Sequence, residues 1–354
     1  MRIGTLLGET RRDITSGTAR VGLGFWALAL VLILLSLADL LTISRLQTDA
    51  QHYQAAGAAT RALVAKRSVA PAVCDALART SSVAASGAMA DGQAVRFSAM
   101  PTVAIQTYRV TPGFAGVLGI DPAPGGVWMD DGLAGVLGVR VGAVLPTDRG
   151  NLLVTGVFAW PQDGRDQRLS FAVLTPEALT GSFDECWLRA WPTQDANDLL
   201  LREAQKVRLD NPNPGMIGQV NTSLGTTLDS HGLYMTRLTQ YVPLVLLVAG
   251  FALGYALARA RRLQYASALH AGQAKSEQLL SCLLQTAAWA VPAAFVAGVG
   301  CWVAVVVVGV PGLMTALPIV LRGPALGLCG ALLGAFLGCL LTREKHLFRL
   351  FKTR

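Results

Sequence analysis

The chain has 354 residues, of which 52% are hydrophobic and only 15% are charged, and its mean hydropathy is +0.45. Soluble globular proteins are more polar than this, so the composition excludes that class and indicates a membrane protein. The net charge of +8 would suggest nucleic-acid binding if the basic residues lay in a soluble domain. The excess positive charge instead borders long apolar stretches, so we expect no nucleic-acid partner.

Uncharged runs long enough to cross the roughly 30 Å hydrocarbon core predict four membrane spans. The predicted spans are residues 22–44, 238–258, 284–310 and 319–342. The first contains a single acidic residue, Asp39, which we expect near the outer end of its helix. No charged residue occurs in the 44 residues from Gln278 to Leu321, which are enough for one helix, an outer turn near Pro311 and the start of another.

The distribution of charge predicts the orientation of these spans. The N-terminal segment 1–21, the loop 259–283 and the C-terminal tail 343–354 together carry a net charge of +9, whereas residues 45–237 carry −1. Because positive charge favours the cytoplasmic side, we expect a multi-pass cell-membrane protein with both termini in the cytoplasm. The N-terminal segment has a weak amphipathic pattern, which is compatible with a position on the inner membrane surface or with a solvated tail.

Residues 45–237 are predicted to form an extracytoplasmic domain, since about 190 residues of mixed charge are enough to bury a core. β-rich runs predict strands at 103–110, 151–160, 169–175 and 186–191. Apolar periodicity predicts a helix over 196–209, and a helix end is expected near Asp75. The expected fold is therefore an α-helical membrane protein with one plus three transmembrane helices and an α+β domain inserted between helices 1 and 2.

Two of the six cysteines, Cys74 and Cys186, lie in this domain, and the other four lie in or beside the spans. A pair of cysteines in an oxidising compartment favours a disulfide, which would close a large loop and stabilise the domain. Two buried free thiols are the alternative.

The sequence lacks the motifs of several kinds of catalytic, nucleotide-binding and metal-binding site. The chain has no GxxxxGK[ST] phosphate loop, no HExxH or CxxC spacing and no GxSxG elbow. We therefore expect no catalytic residue, no metal and no cofactor in this chain.

The topology of one span, a large outer domain and three further spans resembles the permease subunits of the MacB/FtsX/LolC-type ABC transporter family. Residues 125–161 are similar to the family's outer-domain signature, in which a helix ends in Leu-Gly-x-x-x-Gly and a strand with x-Val-x-Gly-Val follows. The matching positions are Leu137, Gly138, Gly142, Val154, Gly156 and Val157. Gly138 can end the helix in the left-handed conformation, and Gly142 permits a tight turn into the strand.

A second stretch, residues 260–286, is similar to the family's cytoplasmic loop of basic residues, a short helix, a Gly turn and a second helix. The matching positions are Arg261, Arg262, Tyr265, Gly272 and Lys275. Gln264 stands where the family usually has glutamate. The resemblance implies that this loop couples the chain to an ATPase, and an ordinary basic inner loop is the alternative.

The resemblance implies a non-catalytic permease subunit in membrane lipid. Two copies of a separate ABC ATPase would carry ATP and Mg²⁺, and a second permease chain would complete a homodimer or heterodimer. ATP hydrolysis would move the outer domains and export a peptide, lipid-like or small amphipathic substrate. Two alternatives stay open: an FtsX-like mechanotransmission subunit that activates an extracytoplasmic partner such as a cell-wall hydrolase, and a free-standing membrane-anchored sensor without an ATPase.

Small and charged residues in the spans predict helix contacts. Two spans carry glycines at intervals of four residues, namely Gly250 and Gly254 in the second and Gly330, Gly334 and Gly338 in the fourth. This spacing lets a neighbouring backbone approach closely, either within one chain or between subunits. Asp39 and Arg322 are expected to form an ion pair near the outer helix ends, because a lone charge near hydrocarbon is costly.

Overall fold

The computed structural model describes residues 8, 11–13, 15–17, 20–206, 215–309 and 313–342. Most of the predicted N-terminal segment and the whole C-terminal tail therefore lie outside the described residues. The chain divides into two compact units. We call them the helical unit, which comprises Met1–Gln47 and Gly232–Arg354, and the sheet unit, which comprises Thr48–His231.

The described helices, in chain order, are α1 (Val21–Ala55), α2 (Pro71–Ala76), α3 (Phe114–Leu118), α4 (Asp131–Leu137), α5 (Asp195–Glu203), α6 (Ser230–Thr236), α7 (Val242–Ala260), α8 (Arg262–His270), α9 (Lys275–Val308) and α10 (Leu313–Leu340). The described strands are β1 (Thr60–Val69), β2 (Val83–Asp91), β3 (Thr107–Val110), β4 (Val127–Asp130), β5 (Val144–Thr147), β6 (Gly150–Phe158), β7 (Val173–Pro176), β8 (Phe183–Ala190) and β9 (Met216–Gln219).

Four of the described helices are long and apolar enough to cross a membrane, as the sequence predicts. They are α1, α7, α9 and α10, and a 3₁₀ turn at Leu238–Tyr241 precedes α7. Helix α1 continues past the predicted span to Ala55, and α9 begins at Lys275 rather than at 284. The predicted bounds were placed where charged and polar residues begin. The helices continue through these polar residues because neither extension contains a proline that would break it.

The interior of the helical unit is built from α1, α7, α9 and α10. Its buried apolar side chains include Leu32 of α1, Leu246 of α7, Trp289 of α9 and Ala331 of α10. Leu32 of α1 packs beside Gly327 of α10, and Trp289 of α9 packs beside Gly24 of α1. The small residues let the helix backbones approach closely, which is the usual way in which helices associate in a membrane.

The predicted glycine stripes lie at the contact between α7 and α10 of the same chain. A Cβ atom on Gly330 or Gly334 would meet the backbone carbonyl of Leu247 or Phe251, respectively. In the same way, a Cβ atom on Gly254 would meet the Ala331 carbonyl. Gly250 faces the Gly327 carbonyl, and a Cβ atom on Gly338 would lie 2.9 Å from Ala258 Cβ. The sequence allows these glycines to lie at a helix contact within one chain or at a contact between subunits. The structure places them at a contact within one chain.

Within the described residues, the nine strands form one mixed sheet in the order β5-β6-β4-β7-β3-β2-β8-β1-β9. The pairs β3–β7 and β4–β6 are parallel and the other pairs are antiparallel. One core cluster includes Phe114, Phe158 and Trp187, and a second includes Leu63, Leu188 and Leu201. The sheet residues lie between α1 and α7 in chain order.

The predicted strands are present with changed bounds. Runs 151–160 and 186–191 correspond to β6 and β8, whereas 103–110 and 169–175 shorten to β3 and β7. The sequence missed β1, β2, β4, β5 and β9. Six consecutive residues of β2, Ala85–Ala90, are buried, so this strand lacks the alternation of apolar and polar residues on which the sequence reading depends.

The sheet unit contains a disulfide between Cys74, in α2, and Cys186, in β8. The two Cα atoms are 5.8 Å apart, the residues are 112 positions apart in the chain, and both side chains are fully buried. The bridge links α2 to β8, an interior strand of the sheet. It also excludes the alternative of two free thiols in this structure.

Replacing both cysteines with alanine is expected to lower the unfolding free energy of the sheet unit by about 2–4 kcal/mol, because the unfolded chain regains the freedom of a long loop. Thermal unfolding of the full chain in detergent, followed by near-UV circular dichroism, checks this result. Replacing Cys329, which is exposed, is the matched control and should leave the transition unchanged. An unchanged transition in the double variant would contradict the prediction.

Candidate functional site

The loop between α7 and α9 contains the helix, glycine turn and second helix that the sequence predicts. Helix α8 ends at His270, and Gly272 follows with a φ of +90°. The Gly272 amide donates to the Leu269 carbonyl at 3.0 Å, and the Gln273 amide donates to the Ala268 carbonyl at 3.1 Å. This pair of hydrogen bonds is a Schellman motif, which favours glycine at the left-handed position and redirects the chain into α9.

Arg261 points inward and fastens the loop to the helices. Its guanidinium donates to Gln285 of α9, to Gln264 at 2.9 Å and to the Asp13 carboxylate at 2.9 Å. Only 12% of the side chain is exposed. The Asp13 carboxylate also accepts from the Gln285 side-chain amide at 2.8 Å. Arg261 is therefore the centre of a polar network rather than a free surface charge.

Tyr265 packs beneath α8 in an apolar pocket with Cys282, Ala335 and Cys339. Its backbone carbonyl accepts a 2.7 Å hydrogen bond from the Gln278 side-chain amide, which joins α8 to α9. Burial raises the pKa of the Tyr265 phenol far above its ordinary value, so this side chain is neutral at physiological pH.

Lys275 also points inward, and its ammonium group holds the end of α10. The Nζ atom donates to the carbonyls of Cys339 at 2.9 Å and Thr342 at 2.7 Å, and to the Gln278 side chain at 3.0 Å. The last carbonyls of a helix have no partner within the helix, and a cation there is stabilising. Lys275 thus joins the first turn of α9 to the last turn of α10.

The remaining predicted loop residues face outward. Arg262, Gln264 and Gly272 are exposed, as is His270 at the end of α8. The structure therefore divides the predicted coupling residues into an inner set, Arg261, Tyr265 and Lys275, and an outer set, Arg262, Gln264 and Gly272. We call the outer set together with His270 the α8 surface. Arg261 and Tyr265 hold α8 against α9, Lys275 joins α9 to α10, and the residues of the α8 surface are exposed.

The predicted pair between Asp39 and Arg322 is wrong, because Asp39 is paired with Arg237. The Arg237 Nε atom donates to Asp39 Oδ1 at 3.3 Å, and the two side chains are only 5% and 9% exposed. Arg237 also donates to the Tyr234 carbonyl at 2.6 Å, and its guanidinium carbon lies 3.9 Å from the centre of the Tyr234 ring. Arg322 is exposed.

In the sheet unit, the motif of residues 137–157 forms a helix end, a turn and a strand. Gly138 ends α4 with a φ of +65°, and the Val139 amide closes the turn on the Ala134 carbonyl at 3.0 Å. Gly142 has a φ of +93°, and its amide donates to the Val154 carbonyl at 2.8 Å. These two glycines therefore occupy backbone positions that other residues adopt only with strain.

The other motif positions contribute to packing. Val154 is fully buried, and Leu137 and Val157 pack against the same apolar cluster. A Cβ atom on Gly156 would lie 3.1 Å from both Pro122 Cβ and Trp128 Cδ1, so this glycine permits a close contact in the core. The motif is thus a structural element of the sheet unit.

Sequence reasoning missed four residues of these networks: Asp13, Arg237, Gln278 and Gln285. Gln278 and Gln285 carried a usable signal, because they are polar, lie seven residues apart and therefore share one face of α9. Within the described residues, no group of three or more His, Cys, Asp or Glu side chains has the arrangement of a metal site.

No protein-family model and no curated protein matches the chain. Among solved structures, the periplasmic region of MacB from Actinobacillus actinomycetemcomitans is similar, with 11% identity and a TM-score of 0.34, over 46% of this chain and 90% of that one. A domain of a putative permease protein from Porphyromonas gingivalis is similar with 14% identity and a TM-score of 0.30, over 45% and 85%. The extracellular domain of the noncanonic ABC-type transporter YknZ from Gram-positive bacteria has 11% identity and a TM-score of 0.28, over 41% and 90%.

Each of these solved structures is similar to less than half of this chain.

Proposed function

We propose that the chain is the membrane subunit of an ATP-binding cassette transporter complex and that a separate ATPase chain docks on the α8 surface. The arrangement of the loop carries this proposal. The Arg261–Gln285 contact and the Gln278–Tyr265 hydrogen bond hold α8 against α9, and Arg262, Gln264, His270 and Gly272 are exposed. A solvated basic loop would not need such contacts to fix its position.

The inner set provides the contacts through which a displacement of α8 would be transmitted to α9 and α10. A displacement of α8 would act on α9 through the Gln278–Tyr265 hydrogen bond and through the Arg261–Gln285 contact. Lys275 would carry the same displacement to the end of α10. Since α7 and α10 are packed at glycine contacts, they would move together.

In this proposal the loop and both termini lie in the cytoplasm, and the sheet unit lies outside the membrane between the first and second spans. Positive charge beside the spans supports this orientation. ATP and Mg²⁺ would be bound by two copies of the ATPase and not by this chain. Two permease chains would move their sheet units to export a peptide, lipid-like or small amphipathic substrate.

Purification of the tagged full chain from its native membrane in mild detergent, followed by mass spectrometry, tests the proposal. We expect an ATPase with Walker motifs at stoichiometric yield. Absence of an ATPase even after cross-linking would overturn the proposal and favour an anchored sensor. An extracytoplasmic protein in the same eluate, without cargo-dependent ATP hydrolysis, would favour mechanotransmission.

Charge reversal at Arg262 is expected to reduce recovery of this ATPase about tenfold, a loss of about 1.4 kcal/mol in binding free energy, while leaving the fold intact. Because Arg262 is exposed, reversing its charge should weaken binding of a partner without disturbing the fold. Arg45→Glu is the matched control, because it reverses another exposed arginine of the helical unit. Equal recovery from Arg262→Glu, Arg45→Glu and the unmodified chain would remove the α8 surface from the proposed interface.

A further inference from the structure

A cleft of about 460 Å³ lies over β3 and β7, on one face of the sheet. This volume is in the usual range for small-molecule sites. Thr107 and Arg109 of β3 stand in parallel register with Val173 and Thr175 of β7, and all four residues line the cleft. Because residues two apart in a strand, and residues in register across a pair, project from the same face, these side chains form the floor of the cleft.

Two segments of the sheet unit form the walls of the cleft. The segment after β2 contributes Gln93, and the β5–β6 hairpin contributes Arg149 and Leu152. The two segments are joined by their backbones, since the Asp148 amide donates to the Arg96 carbonyl at 3.0 Å. The walls are therefore held in place by the fold itself, and the cleft is preformed.

The two arginines of the cleft differ in their partners. Arg109 is paired with Glu177, which also lines the cleft, at 3.2 Å. The exposed Arg149 donates instead to the side-chain oxygen of Gln93, which is uncharged. Arg149 forms no ion pair with any residue that the structure describes. The cleft therefore offers one guanidinium whose charge is not balanced by a carboxylate of the described chain.

The rest of the lining limits the ligand that fits. Asp91 borders the cleft, but it stands opposite Tyr108 in the β2–β3 pair, and Tyr108 belongs to the apolar cluster on the other face of the sheet. Glu177 disfavours an anion with more than one negative charge, such as phosphate. Leu152 and Val173 add apolar lining. A molecule with a single negative group and an apolar body complements this arrangement.

We propose that this cleft binds a small amphipathic carboxylate, whose carboxylate group replaces the Gln93 side chain on Arg149. A guanidinium holds a carboxylate through two parallel charge-assisted hydrogen bonds, which are stronger than a bond to a neutral amide. A free carboxylic acid and the C-terminus of a short peptide share this chemistry. The cleft lies within the sheet unit, so this inference does not depend on the ATPase that we propose for the α8 surface.

Isothermal titration calorimetry of the full chain in nanodiscs, without an ATPase, tests the role of the charge. N-acetyl-leucine and N-acetyl-leucinamide differ only in carrying a carboxylate or a carboxamide, and we expect the acid to bind about tenfold more tightly. Arg149→Gln should abolish this difference. Arg202→Gln should preserve it, because it replaces an exposed arginine of α5 that does not line the cleft.

Thermal unfolding checks that both variants keep the fold. No binding of either probe, equal affinities of acid and amide for the unmodified chain, or a difference that survives Arg149→Gln would overturn the proposal.

Two further probes identify the source of the carboxylate and its charge. N-acetyl-trileucine carries the same group at the end of a peptide. Tighter binding of this probe than of N-acetyl-leucine would assign the cleft to peptide C-termini, and weaker binding would assign it to small free acids. Inorganic phosphate should displace N-acetyl-leucine only at several-fold higher concentration than unlabelled acid, because Glu177 repels the second charge. Equally effective displacement by phosphate would overturn the assignment to carboxylates.

Discussion

Gly334→Ala is expected to destabilise the helical unit by about 3 kcal/mol, although alanine is the better helix former. The added methyl group would overlap the backbone carbonyl of Phe251 on α7. A backbone atom cannot move aside as the end of a flexible side chain does, so the helices must separate. Unfolding of the purified chain in mixed detergent micelles, followed by tryptophan fluorescence, measures the loss.

Gly300→Ala is the matched control. Gly300 also lies inside an apolar helix, α9, but a Cβ atom there would have no neighbour within 4 Å. The same chemical change should therefore be neutral or stabilise the helix by up to about 1 kcal/mol. A similar loss in both variants would show that the contact between α7 and α10 is not the cause of the effect at Gly334.

The positions of the long helices could be predicted from the sequence because crossing a membrane requires about 20 apolar residues in a row. The contacts between these helices could be predicted only in part. A glycine stripe shows that some backbone comes close, but both a helix of the same chain and one of a second chain satisfy that requirement. Only the structure shows that Leu247, Phe251 and Ala331 supply that backbone.

The direction of each loop side chain could not be predicted either. Arg261 and Arg262 are adjacent and chemically identical, yet the first is largely buried and the second is exposed. The difference arises from Asp13 and Gln285, which lie 248 and 24 residues away from Arg261 in the chain. The glycine turn could be predicted from residue type and local spacing, because its hydrogen bonds join neighbouring residues. The network around Arg261 could not be predicted in this way, because its partners are distant in the chain.

Removing either charge of the Asp39–Arg237 pair is expected to cost about 3–5 kcal/mol, because the remaining charge would be buried without a partner. Sequence reasoning identified Asp39 from the cost of a lone charge in an apolar helix, but used Arg237 only to mark where the second span begins. The two residues are 198 positions apart, and their contact depends on how α1 packs against the segment before α7. Asp39→Asn and Arg237→Gln test the two halves of the pair.

The double variant separates a pair from two independent charges. If the residues act on each other, the combined loss in unfolding free energy should be well below the sum of the two single losses. Arg322→Gln is the control, because it removes an exposed charge of the same unit and should change stability by less than about 0.5 kcal/mol. Additive losses for Asp39 and Arg237 would contradict the pairing, whereas coupling of Asp39 to Arg322 would restore the partner that the sequence alone predicts.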